Sequence, residues 1–200
     1  MKKEVKSEKN KHFSCKNCRR IGRIKFSNDC FICTGIIKHP KIKIAWNPGS
    51  TQLDKGLKGL AGFLAKTDLL ILNKEEAEGL TKIKIQNPKG SKMKSFRPLF
   101  EKLIKYGSKV MAITDGKRGG QAYDGDKIYS YPSIPAKIVA NVGAGDAFCS
   151  GFLGAIILGR TVKEALRWGM ANGASVITHY GAQLGVLNRK EIIKRANKLK

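Results

Sequence analysis

The sequence predicts an α/β protein with helices layered on a largely parallel sheet. Two observations carry this. Short apolar runs of strand length alternate with longer helical patterns, the order that builds βαβ units. One run, Asp68–Leu72 (DLLIL), is apolar without alternation, as expected of a strand covered on both faces. A chain of 200 residues, 42% apolar and 27% charged, holds one domain plus a short extension and is not wholly disordered.

The elements follow in order from residue 41. Ile42–Trp46 is a short apolar run that stops at the turn signal Asn47-Pro48-Gly49. Leu57–Leu64 reads as a helix, then 68–72 as the buried strand. Glu75–Leu80 starts a helix just after Asn73. Phe96–Tyr106 is a further helix, and Gly107 can cap its end. Lys109–Thr114 is a strand followed by the turn Asp115-Gly116. Gln121–Tyr123 and Lys127–Ser130 flank Asp124-Gly125, a hairpin signal. Ala147–Leu158 is an almost wholly apolar helix and is expected to be buried. Val162–Thr178 is another helix, and Glu191–Lys198 reads as an exposed basic one.

Charge divides the chain unevenly. The net charge is +24, and residues 1–44 hold 13 Lys/Arg against 3 acids. Such a balance suggests an anionic partner: nucleic acid, an acidic surface or a phosphate-bearing small molecule. No run approaches the roughly 18–20 apolar residues of a membrane span, and no signal peptide is visible. With five cysteines, these features predict a reducing compartment and a cytoplasmic protein.

The stretch that carries chemistry is Asn141-Val142-Gly143-Ala144-Gly145-Asp146-Ala147-Phe148. Small residues precede a carboxylate and a long apolar helix. Glycines let backbone N–H groups approach a ligand, and a helix N-terminus favours negative charge there. Asp146 reads in two ways, as a helix-capping acid or as a general base beside an anion hole. Asn73 and Glu76, three apart, have the spacing of a helix capping box.

VGAGDAFCSGF resembles the C-terminal signature of the ribokinase-like, PfkB-type carbohydrate kinases. Asn47-Pro48-Gly49 is similar to that family's Asn-Pro turn, and Asn73-Lys74-Glu75-Glu76 to its N-x-x-E motif. Thr114-Asp115-Gly116-Lys117-Arg118-Gly119 resembles its strand-end loop, and Ala171-Asn172 with Gly181-Ala182 its late segments. The matches fall in order over roughly residues 38–188.

The resemblance implies a ribokinase-like α/β/α fold and ATP-dependent phosphorylation of a hydroxyl on a sugar or sugar-like substrate. It implies Asp146 as catalytic base and Gly143, Ala144 and Gly145 as anion hole. Asn73 and Glu76 would position Mg²⁺ through water. Asn47, Thr114, Gly116, Gly119 and Asn172 would line the ATP site. The sequence departs from the pattern at Ala140 and Val142, where many members carry an Asp and a Thr for a monovalent cation. The N-terminal half and lid of complete members are not recognisable. The expected organisation is therefore a basic segment at 1–37 and a truncated kinase domain at 38–200. A catalytically inactive, nucleotide-binding remnant is the alternative.

The first segment holds Cys15-x-x-Cys18 and Cys30-x-x-Cys33, a pairing able to bind Zn²⁺. Arg19, Arg20, Arg23, Phe13 and Phe26 surround it, as in a small nucleic-acid-binding knuckle. An unstructured basic tail, or a decayed or misjoined reading frame, accounts for the same residues.

Overall fold

The computed structural model describes residues 42–86 and 94–199. The four N-terminal cysteines, and with them the zinc and nucleic-acid expectations, lie outside the described residues.

Strand β1 (Ala45–Trp46) opens a five-stranded sheet of order β1-β2-β3-β4-β5. Two short helices follow, α1 (Ser50–Leu53) and α2 (Gly56–Leu64). Strand β2 (Leu69–Asn73) runs parallel to β1 and leads directly into α3 (Lys74–Thr81). After α4 (Arg97–Ile104), β3 (Val110–Thr114) pairs parallel to β2. A 3₁₀ turn at Gly116–Arg118 reverses the chain into β4 (Gly120–Tyr123) and then β5 (Ile128–Tyr131), both antiparallel to their neighbours. The sheet is thus mixed: three parallel strands carry an antiparallel hairpin. Helices α5 (Ala144–Ile157), α6 (Val162–Val176) and α7 (Arg189–Ala196) complete the described chain.

The run at 69–72 is buried on both faces, as its sequence demands. Leu69 and Ile71 join Ala112, Ala122, Phe148, Phe152 and Leu166 beneath α5 and α6. Leu70 and Leu72 point the other way, to Leu60, Leu64, Leu80, Phe100 and Leu103 from α2, α3 and α4. Period-two alternation therefore produces an α/β/α sandwich, with each fully buried aliphatic side chain contributing about 1.5–3 kcal/mol.

Two helices differ from their sequence expectation. Helix α7 is not wholly exposed: Ile192 and Ala196, four residues apart, are buried against the α5–α6 layer. Arg167 of α6 donates its Nε–H to the carbonyl of Ala196 at 2.9 Å. Helix α5 starts three residues earlier than its apolar run and leaves Ile157 and Leu158 at the surface, 74% and 46% exposed. Its buried side packs on α6, where a Cβ on Gly151 would stand 2.9 Å from the Trp168 carbonyl. That close approach buries one stripe of the helix rather than its whole circumference.

Asp68 fastens the start of the sheet. Its carboxylate accepts from the Ile44 N–H (3.1 Å) and pairs with Lys109 (3.0 Å) and Lys43 (3.5 Å). Burial pushes this carboxyl up, but the Ile44 N–H and the two ammonium groups outweigh it and hold it below its ordinary value of 3.8. A depressed folded-state value stabilises above the unfolded one, and that contribution is lost as pH falls through the folded value. Asp68→Asn is therefore expected to lower urea-unfolding stability at pH 7, with the difference shrinking steadily below about pH 4.

Candidate functional site

The parallel strands deliver three polar residues to one end of the sheet. Asn73 ends β2 opposite Thr114, which ends β3, and Asn47 follows β1. Asn47 donates its Nδ2–H to the Ile71 carbonyl at 2.8 Å, which holds the residue against the strand end. In α/β sheets the crevice beyond the carboxyl ends of the strands is where ligands bind.

Helix α5 aims its N-terminus at the same crevice. Gly143 is its N-cap, with φ +81° and no capping side chain. A Cβ at Gly143 would lie 2.6 Å from both Cα and O of Ala182, so only glycine fits there. The first bond of the helix runs from the Ala147 N–H to the Gly143 carbonyl, 2.9 Å. The amides of Ala144, Gly145 and Asp146 consequently have no partner within the helix and can receive an anion. Asp146 sits in the first turn, exposed to solvent. Its carboxylate makes no hydrogen bond or ion pair among the described residues, so it is not spent on capping.

Two cavities meet here. The smaller, about 210 Å³, brings together Asn47, Asn73, Glu76, Thr114, Gly143, Gly145, Asp146 and Cys149. The larger, about 750 Å³, shares Asn73, Thr114 and Gly145 and extends past Gly116, Lys117 and Gly119 to apolar walls at Ile134, Ile138, Met170 and Ile177. Ala144 lines the larger one as well. A compact polar chamber thus opens into a wide apolar one.

Asn73 and Glu76 form the capping box their spacing allows. The Glu76 N–H donates to Asn73 Oδ1 and the Asn73 N–H to Glu76 Oε2, each at 2.8 Å. The box leaves Glu76 Oε1 as the oxygen available to a ligand. Asn73 Oδ1, the Glu76 carboxylate and Asp146 are hard oxygen donors. That set suits Mg²⁺ holding several of its own waters and does not suit a thiophilic metal. Cys149, one turn beyond Asp146, is the only cysteine among the described residues. Burial pushes its thiol up to about 11, helped by the nearby carboxylates of Asp146 and Glu76. It stays a neutral thiol at physiological pH and cannot serve as a nucleophile there.

One expected residue falls elsewhere. Asn172 lines neither cavity and is 2% exposed. It donates to the Ala147 carbonyl (2.8 Å) and Ser150 Oγ (3.1 Å) and accepts from the Leu187 N–H (2.9 Å). Its polar groups are consumed in tying α6 to α5 and to the segment before α7. Its neighbours Gly173 and Ala174 supply the wall instead. Sequence reasoning did not single out the wall at Ser133–Ile138 or Lys117. The first carries no motif and follows a strand as irregular chain; the second sits inside Thr114–Gly119, where a single lysine carries no signal of its own.

Comparisons with known proteins place the chain among kinases. An Archaeoglobus fulgidus protein named as an uncharacterized sugar kinase is 28% identical over 143 residues, covering 72% of this chain and 53% of its own. A Thermococcus kodakarensis cytidine kinase is 37% identical over 79 residues, covering 38% of this chain and 28% of its own. Among solved structures, Arabidopsis thaliana ribokinase complexed with ribose and ATP superposes with a TM-score of 0.58 at 26% identity, covering 68% of this chain and 43% of that one. An E. coli protein solved with ATP and Mg²⁺ gives 0.66 at 22% identity, covering 82% and 51%, a likeness of fold. The chain spans about half the length of the leading relatives it matches. The sequence pattern described as "pfkB family carbohydrate kinase" matches residues 50–189. On that match, over most of the chain and through the ends of β2 and β3 and the start of α5, this protein belongs to the pfkB family of carbohydrate kinases.

Proposed function

We propose that this chain carries the phosphoryl-donor and catalytic half of an ATP-dependent kinase acting on a hydroxyl of a sugar or sugar-like alcohol. The observation that supports this most is the free carboxylate of Asp146 beside the unpaired amides of the α5 N-terminus, in one cavity with Glu76 and Asn73. A nucleoside fits the wide apolar chamber, which leaves its phosphates at the junction of the two chambers. Asp146 accepts the proton of the acceptor hydroxyl as the hydroxyl oxygen bonds to the terminal phosphorus and the bond from that phosphorus to the β-phosphate oxygen breaks, releasing ADP. The amides of residues 143–146 bind the charge that gathers on the transferring group's oxygens. Asn73 and Glu76 would hold Mg²⁺, which would supply positive charge against the phosphates.

Binding of MgATP by the full chain, followed by phosphate transfer across a panel of sugars and polyols, tests the proposal. Affinity for MgATP with transfer to at least one acceptor supports it. Failure to bind nucleotide overturns it, and binding without transfer to any acceptor favours a nucleotide-binding remnant.

Glu76 provides a sharper check. Glu76→Gln keeps an oxygen for the Asn73 N–H, so the capping box and α3 survive. The lost charge is expected to raise the Mg²⁺ concentration for half-maximal activity about 10–100-fold, as outer-shell changes do elsewhere. Thermal unfolding without metal stays within a degree or two of the parent.

A further inference from the structure

The segment that leads into α5 does not suit the monovalent cation of the family pattern. An alkali ion gives up its water only to a shell of oxygens that replaces it. The side chains that would supply such oxygens are here a methyl group, Ala140, and an isopropyl group, Val142, the latter 66% exposed. The carbonyl facing the segment is already engaged. Ile177, the C-cap of α6, accepts from the Val139 N–H at 2.8 Å and from the Ala140 N–H at 3.3 Å. Carbonyls at a helix C-terminus carry the negative end of its dipole and attract positive charge. Two backbone N–H groups meet that need here. The next carbonyls back are engaged too: Ser175 accepts from the Thr178 hydroxyl at 2.7 Å and Val176 from the His179 N–H at 3.0 Å.

These contacts belong to a larger clamp. Three residues beyond Ala140, Gly143 lies against Ala182 with no room for a Cβ. The segment that carries Ala182 is itself anchored to α6. Gly185, at φ +85°, packs so closely that a Cβ would overlap the His179 ring and stand 2.9 Å from the Ser175 carbonyl. The Leu187 N–H then donates to Oδ1 of the buried Asn172 at 2.9 Å. Helix α5 rests on α6 as well, where Gly169 leaves a Cβ only 2.8 Å from the Phe148 ring. The approach to α5, its N-cap and its body are all located against one helix.

Resting on the reading of the α5 N-terminus as an anion hole, we infer that this backbone clamp alone positions it, so that MgATP binding and phosphoryl transfer need no K⁺ or Na⁺. Amides already aimed at the anion spend no free energy on being ordered when it arrives.

The test compares the full chain in the chlorides of K⁺, Na⁺ and tetramethylammonium at equal ionic strength, the last being too large for an oxygen-lined alkali site. A cation bound by the folded state alone would raise the melting midpoint as it is added. The expected midpoints, without nucleotide, agree within about a degree in the three salts. The Val139 and Ala140 amides, read by hydrogen exchange in the same nucleotide-free protein, are expected to be protected equally in all three. MgATP affinity by calorimetry, and turnover where an acceptor is known, should agree within about twofold. A midpoint, affinity or turnover that climbs with K⁺ or Na⁺ but not with tetramethylammonium overturns the inference. Exchange of both amides at the unprotected rate, or protection only with an alkali ion present, overturns the clamp. If the chain binds no MgATP in any salt, the donor-site proposal has failed, while melting and exchange still decide whether the clamp holds without a cation.

Discussion

Asp146→Asn is expected to reduce phosphoryl transfer about 10²–10⁴-fold, the usual contribution of a positioned general base. The exchange is isosteric, and the carboxylate bonds nothing among the described residues, so no contact is broken. Losing an acid from the first turn of α5 costs at most about 0.3–1 kcal/mol of interaction with the helix dipole. Nucleotide affinity should hold or rise slightly, because a negative charge leaves the neighbourhood of a polyanion. The combination separates chemistry from binding: kcat collapses while the dissociation constant of MgATP stays within about threefold. No other group in the chamber stands ready to substitute. Glu76 already gives one carboxylate oxygen to the Asn73 N–H. The Cys149 thiol, pushed up to about 11, is the wrong strength for a base at neutral pH. Turnover that survives Asp146→Asn would remove Asp146 from the mechanism and with it the reading of α5 as the catalytic helix.

How much of this was legible in the sequence depends on how local each feature is. The buried strand β2 was plain because five consecutive residues carry its signal and both faces need apolar cover. The box at Asn73 and Glu76 was plain because three residues separate its partners. The chamber around Asp146 could be expected only through a resemblance, since Asn47, Asn73, Thr114 and Asp146 lie on four separate segments that the parallel sheet gathers. Features that depend on distant packing were missed or misjudged. Asn172 carries an ordinary polar label, and its burial depends on carbonyl and amide partners 25 and 15 residues away. The inward face of α7 is two residues, Ile192 and Ala196, in an otherwise basic helix. The cavity wall at 133–138 has no periodicity, because it belongs to no regular element and is shaped by α6 opposite it.

Gly119→Ala is expected to be the most destabilising single methyl that can be added to the loops of this domain. Gly119 stands at φ +110°, ψ −141°, a region that residues bearing a Cβ essentially do not occupy. An added Cβ would overlap the Tyr131 carbonyl oxygen and come within 2.7 Å of Pro132 C and Cα. All of these are backbone atoms, so no side chain can rotate aside. The loop cannot shift either without breaking the Asp115 N–H bond to Gly119, which closes the turn between β3 and β4. Backbone strain of about 1–3 kcal/mol and overpacking of a similar size together predict a loss of about 3 kcal/mol or more. Against a usual total of about 5–15 kcal/mol, that is a large fraction. Two sister substitutions calibrate the claim. Gly116→Ala meets nothing within 4 Å but sits at φ +48°, so it pays backbone strain alone, about 1 kcal/mol. Gly145→Ala meets nothing within 4 Å, has no positive φ and lies in a helix, so its stability should match or exceed the parent's. Urea unfolding of the three variants should therefore rank Gly119→Ala far below Gly116→Ala, with Gly145→Ala at the top. A Gly119→Ala midpoint close to the parent would mean that the β3–β4 turn has room this structure denies it.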